Sequence, residues 1–167
     1  VAKYVKAVQS GQGADEVFAG YHWYPPLTEA TPADALATYR DVFFDRTAAE
    51  YRETVDERFH PEKDHSELFA RAHFAQEGAQ TAIQKGLRLD TQIMLVDDPV
   101  KRVDNMTMAW GVEARVPFLD HELVEFAARI PARFKVAQGG KHILKEVARD
   151  VIPHEVLDRP KGYFPVP

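Results

Sequence analysis

Cysteine is absent from all 167 residues. That excludes disulfides, zinc–cysteine sites, iron–sulfur clusters and a cysteine nucleophile within this chain. Long apolar runs are absent too, and nothing approaches the roughly 18 residues that a membrane-spanning helix needs. No basic block occurs, and the formal charge is −5, from 26 acidic and 21 basic residues. A net-acidic chain without a basic patch is ill suited to nucleic-acid backbones. No signal peptide is visible, so a cytoplasmic location is the expectation. An initiator methionine is missing and the chain stops directly after a dense run of motif-like residues. Both predict a piece of a longer polypeptide. What is present suffices for one domain: 45% hydrophobic and 28% charged residues, at a length where folding buries about 70% of the chain's surface.

Val5 to Gln9 alternates apolar and polar side chains, the pattern of a short half-buried strand. It runs into Ser10-Gly11-Gln12-Gly13, a tight glycine turn, and then into a helix start from Ala14 with Asp15 and Glu16 in its first turn. Gly20 to Pro26 reads as a loop. From Thr31 onward helices dominate. Thr47 and Glu50 form a capping-box pair, and Tyr51, Val55 and Phe59 follow at four-residue spacing as a core stripe. Asp64 caps a long helix reaching Lys85, with Gly86 as its stop. Further helices are expected over Leu87–Val96 and Pro99–Trp110. Val116 to Leu119 is extended, and Asp120 caps a helix that Pro131 ends. A last amphipathic helix, Lys141 to Asp150, turns Ile143, Leu144, Val147 and Val151 inward. The expectation is one short strand followed by about seven helices.

Several segments carry chemistry. Backbone N–H groups at a glycine turn suit an anion such as phosphate. The turn is neither a Walker A loop, since no Gly-Lys-Ser/Thr follows, nor a dinucleotide fingerprint, since Glu16 stands where the third glycine belongs. Two carboxylates beside such a loop suit a phosphate through Mg²⁺, a hard cation that prefers oxygen ligands. Alone, the segment is equally well a plain strand–helix turn. The histidines give no metal pattern: His60 and His65 are five apart, and His121-Glu122 meets Glu125 where a second zinc ligand belongs. Glu113 and Arg115 sit just before an extended apolar turn, where an exposed ion pair is the ordinary reading. Lys141 follows Gly139-Gly140 at a helix start, a position the helix dipole makes unfavourable for a cation, so it is a candidate to meet an anion. Arg159 and Lys161 add two cations beside a glycine and aromatics.

Together these residues resemble the synthetase domain of glutamine-dependent asparagine synthetases. The family's Ser-Gly-Glu-Gly-x-Asp-Glu-x-Phe-x-Gly-Tyr segment is matched by SGQGADEVFAGY at Ser10 to Tyr21. Its Glu-Ala-Arg-Val-Pro-Phe-Leu-Asp stretch stands at Glu113 to Asp120, after Arg102-Val103-Asp104-Asn105. A Gly-x-x-Lys-x-x-Leu-(Lys/Arg)-Glu segment is resembled at Gly139 to Glu146, where Gly139 stands one position nearer Lys141 than the family glycine, and Arg-x-Lys-x-x-Phe is matched at Arg159 to Phe164. The resemblance implies a mostly α fold, the C-terminal helical part of an α/β adenine-nucleotide hydrolase-like domain whose parallel sheet lies largely upstream. The open edges of the one strand then predict self-association into a homo-oligomer.

The resemblance also implies an activity. ATP, with Mg²⁺, converts a small-molecule carboxylate into an acyl-adenylate, and ammonia from a glutaminase domain then gives an amide. By analogy Ser10, Gly11 and Gly13 contact the nucleotide, Asp15 binds Mg²⁺ and Lys141 stabilises charge on the reacting acyl-phosphate. Arg102, Glu113, Arg115, Arg159 and Lys161 are candidates for substrate or phosphate contacts. Gln12 replaces the family glutamate, and an amide cannot accept a proton as a carboxylate does. With the HWYPPL and RPKGYFPVP stretches, Gln12 is similar to the branch that amidates N-acetylglutaminylglutamine rather than aspartate. The family's Ser-Gly-Gly-x-Asp-Ser loop and the cysteine of its glutaminase half do not occur in these residues. The expectation is an enzyme fragment inactive alone. The rival from another class is a helical interaction or regulatory module that keeps the fold without the chemistry.

Overall fold

The structure, a computed structural model, describes residues 1–159. The Lys161 to Phe164 part of the last motif lies outside the described residues. Strand β1 (Ala7–Gln9) leads into α1 (Ala14–Phe18), α2 (Tyr24–Glu29), α3 (Ala35–Phe43), α4 (Ala48–Thr54), α5 (His65–Phe74) and α6 (Ala82–Leu89). Two π-helical turns, Asp90–Met94 and Val96–Val100, carry the chain into α7 (Lys101–Met108). Strand β2 (Glu113–Arg115), α8 (His121–Ala128), α9 (Arg133–Val136), α10 (His142–Ala148) and α11 (His154–Leu157) complete it. The mostly α expectation holds, and no helix among the described residues is long and apolar enough to cross a membrane.

One strand was expected and two form. β2 pairs with β1 in parallel, with Ala7 opposite Glu113, Val8 opposite Ala114 and Gln9 opposite Arg115. Glu113 N–H donates to the Lys6 carbonyl and Ser10 N–H to the Arg115 carbonyl, each at 2.8 Å. The glycine turn therefore starts at the last rung of the ladder. A three-residue strand such as Glu-Ala-Arg carries too little alternation to be read from sequence, and pairing with a distant partner decides it.

The main core gathers Tyr24 and Leu27 of α2, Ala35 and Tyr39 of α3, Ala70 and Phe74 of α5, and Ala82, Ile83 and Leu89 of α6. Within it lies a carboxylate. Asp90 is fully buried and accepts from the Trp23 indole N–H at 2.9 Å, the Tyr24 hydroxyl at 2.7 Å and the Tyr39 hydroxyl. Burial pushes the Asp90 pKa up, and the three donors oppose that shift. A second, smaller cluster holds Val17 and Phe18 of α1 and Ala127 of α8, against Phe118, Leu123, Ile143 and Leu144. Phe18 and Phe118 meet edge to face at 6.3 Å, so this cluster fixes α1 against α8 and α10.

Other expectations need correction. The long helix from Asp64 breaks after Phe74, and α6 restarts with a capping box of Thr81 and Gln84. Gly86 does not stop that helix. It lies inside α6, where a Cβ would come within 2.7 Å of Leu27 Cδ1, so it is small for packing. The Gly20–Pro26 loop contains the start of α2, whose first turn carries Pro25 and Pro26; proline is tolerated there because those N–H groups have no helical partner. Phe59 is 67% exposed, and of the last helix's stripe Ile143 and Leu144 pack inward while Val147 and Val151 are 72% and 79% exposed, so each stripe is buried only in part. Helical spacing places residues on one face but does not supply a neighbour for it.

Candidate functional site

The glycine turn, α1 and the segment before α10 build one site. Gly13 caps α1, which is little more than one turn long and carries Asp15 and Glu16 in that turn. A helix this short has a weak macrodipole, so its charge character comes from side chains. Glu16 is buried, and its Oε1 accepts from the Tyr21 hydroxyl at 2.7 Å. Burial raises its pKa, partly opposed by that hydrogen bond.

From 126 positions away Lys141 places Nζ 3.0 Å from Asp15 Oδ1. Both side chains are largely shielded, at 28% and 22% exposure, so the pair is screened less than a surface ion pair. The dipole argument is met: the anion that offsets the unfavourable placement of Lys141 is Asp15. The backbone beneath is held tightly. Lys141 N–H donates to the Phe18 carbonyl at 3.1 Å. Lys141 and Ala19 both adopt left-handed backbone, with φ of 53° and 56°. Two such non-glycine residues on either side of one junction store strain that the surrounding packing must hold.

Two glycines permit that junction. A Cβ on Gly140, whose φ is +92°, would lie 2.4 Å from the Ala19 carbonyl oxygen. A Cβ on Gly20 would lie 2.2 Å from Asp15 Oδ1. Gly140→Ala is therefore expected to lower stability by at least about 2 kcal/mol and to part Lys141 from Asp15. Urea unfolding checks the first effect, and NMR contacts between the Lys141 and Asp15 side chains the second.

The other predicted residues fall at varied distances from this pair. Ser10 and Gln12 are half-buried, and their side chains make no hydrogen bond among the described residues. Glu113 and Arg115 adjoin the turn through the β1–β2 ladder, but their side chains form an exposed pair at 3.2 Å, the kind worth at most about 1 kcal/mol. Arg102, on α7, is exposed and bonded to Asp98 at 2.5 Å, and Arg159 is exposed. No contact among the described residues brings either to Asp15. Neither a cavity of about 390 Å³ beside α4 nor one of about 340 Å³ beside α9 includes Asp15 or Lys141.

No group of three or more His, Cys, Asp or Glu side chains able to hold a metal occurs among the described residues. That excludes a dedicated cage built from them.

Three buried ionisable groups escaped the sequence reading: Glu16 as a buried group, Asp90 and Lys135. Lys135 on α9 is 4% exposed, and burial lowers its pKa to about 8. For Lys135 the available clue is a charge between two apolar residues, Phe134-Lys135-Val136. Between about 8 and the ordinary 10.5 the unfolded chain binds the extra proton, so Lys135 makes stability rise with pH across that window. Lys135→Met is expected to add roughly 1–3 kcal/mol at neutral pH. The gain should shrink as pH climbs through the window, which chemical denaturation at stepped pH would show.

Comparisons with known proteins show the family. The Asparagine synthase family model matches residues 1–167. A putative glutamine-hydrolyzing asparagine synthetase of Mycobacterium tuberculosis is 30% identical over 199 residues, covering 99% of this chain and 30% of the relative. Asparagine synthetase 1 (glutamine-hydrolyzing) of Bacillus subtilis is 26% identical over 198 residues, covering 99% and 31%. The human glutamine-hydrolyzing enzyme is 38% identical over 89 residues, covering 51% of this chain and 16% of its own. No solved structure gives a significant match. This chain belongs to the asparagine synthase family and spans about 30% of the length of the first two relatives.

Proposed function

We propose that these residues form part of the ATP-handling site of a glutamine-dependent amidotransferase. The observation that carries the reading is the contact between Lys141 Nζ and Asp15 Oδ1, which joins two motifs far apart in sequence beside a glycine turn. In this reading a carboxylate oxygen of the substrate attacks the α-phosphorus of ATP, and pyrophosphate leaves. Ammonia then attacks the acyl carbon of the adenylate, and AMP leaves as the amide forms. Negative charge accumulates first on phosphate oxygens and then on the tetrahedral oxyanion. A preorganised cation beside both lowers these barriers; Lys141 is that cation. Mg²⁺, when bound with the nucleotide, would be held by Asp15 and would neutralise phosphate charge. Ser10, Gly11 and Gly13 offer the nucleotide hydrogen-bonding groups at the end of β1.

Gln12 bears on the substrate. An amide donates and accepts hydrogen bonds without taking a proton at neutral pH, so it suits recognition of an amide-bearing acceptor better than base catalysis. N-acetylglutaminylglutamine is such an acceptor and aspartate is not. ATP–pyrophosphate exchange by the intact protein separates the two: the acyl-dipeptide is expected to drive exchange and aspartate to drive it weakly. Exchange driven by aspartate alone would reverse the assignment. Exchange with neither, in a protein that is folded, would favour the non-catalytic module.

A further inference from the structure

Behind α1 lies a cavity of about 340 Å³ that the ligase reading does not use. Its size is within the range of small-molecule sites. Val17 of α1, Leu87 of α6, Val124 of α8 and Ile130 give it an apolar lining, and Lys135 of α9 closes one side. Lys135 is 4% exposed, and its side chain has neither a hydrogen bond nor an ion pair among the described residues. A lysine this shielded without an opposite charge beside it is uncommon. A second cation shares the wall. The Arg88 guanidinium donates to the carbonyls of His73, Gln76 and Glu77, its Nε is buried without a partner, and no carboxylate among the described residues pairs with it.

Glu16 and Glu77 also line the cavity, but neither is within ion-pair distance of Lys135 or Arg88. Glu16 is instead engaged with the Tyr21 hydroxyl. The cavity therefore offers an apolar body and two cations lacking a counter-charge. We propose that it binds a small organic anion with an apolar body, its charged end at Lys135 and its hydrocarbon part among Val17, Leu87, Val124 and Ile130. This site is separate from the Asp15–Lys141 pair and does not depend on the ligase reading.

Calorimetric titration of the intact protein with sodium hexanoate, 1-hexanol and hexylammonium chloride tests this. Hexanoate is expected to bind saturably, and the two uncharged or cationic analogues about tenfold more weakly or worse. Lys135→Met should weaken hexanoate binding by about tenfold or more, since the charge-assisted contact is lost. That variant replaces a desolvated charge by an apolar chain and should melt no lower than the wild type. NMR of the wild-type protein gives a check independent of any variant: hexanoate should shift the amides of Val17, Leu87 and Lys135 and leave Gly11 unmoved. The proposal is overturned by absence of saturable hexanoate binding, by equal binding to Lys135→Met, by hexanol binding as tightly as hexanoate, or by displacement of hexanoate by ATP.

Discussion

Lys141→Met is expected to slow carboxylate-dependent ATP–pyrophosphate exchange by on the order of 10²–10³-fold, the loss seen when one preorganised charge-stabilising donor is removed. The KM for ATP should change far less, because the cation acts most strongly where charge develops. Methionine keeps most of the length of the side chain, so its stem beside Gly20 is retained. Asp15→Asn should lower the same rate and also raise the Mg²⁺ concentration needed for half-maximal exchange. A neutral amide is a poorer ligand for a hard cation than a carboxylate. Unchanged Mg²⁺ dependence in Asp15→Asn would remove Asp15 from the metal's surroundings. Neither variant should unfold the protein, since each leaves a partly shielded charge still reachable by water.

Asp90→Ala is expected to cost about 3–5 kcal/mol of stability. The carboxylate is fully buried and serves three donors, Trp23, Tyr24 and Tyr39, drawn from the turn before α2, from α2 itself and from α3. Truncation leaves those three groups without an acceptor in the middle of the main core and opens a void as well. Asp90→Asn should cost less, since one amide oxygen still accepts. Urea unfolding followed by tryptophan fluorescence reads both, because Trp23 is one of the donors. A loss below about 1 kcal/mol for Asp90→Ala would show that the network contributes little to the fold.

The parts legible in the sequence were those written in short stretches. The Thr47–Glu50 box and the Asp64 and Asp120 caps are local hydrogen bonds, and the structure forms each of them. The convergence of the glycine turn with Lys141 was legible only because the motifs resemble a family; nothing in the spacing between them brings them within 3.0 Å. What escaped was set by partners distant in the chain. The Thr81–Gln84 box went unread because the residues before it looked like one continuous helix. β2 exists because β1 offers it a ladder. Asp90 is unmarked by its own segment, and only the folding of α2 and α3 over it explains why it is there. The reverse error is seen at Val147 of α10 and Val151 just beyond it, which have the right spacing and stay 72% and 79% exposed.

A double-mutant cycle on the exchange rate, with Asp15→Asn, Lys141→Met and the two combined, tests most directly whether these residues act as one site. If they handle the same phosphate chemistry, the double variant loses little more than the more damaging single one, since each removes part of a unit that works together. Losses that multiply, or single variants that exchange as fast as the wild type, would contradict the account.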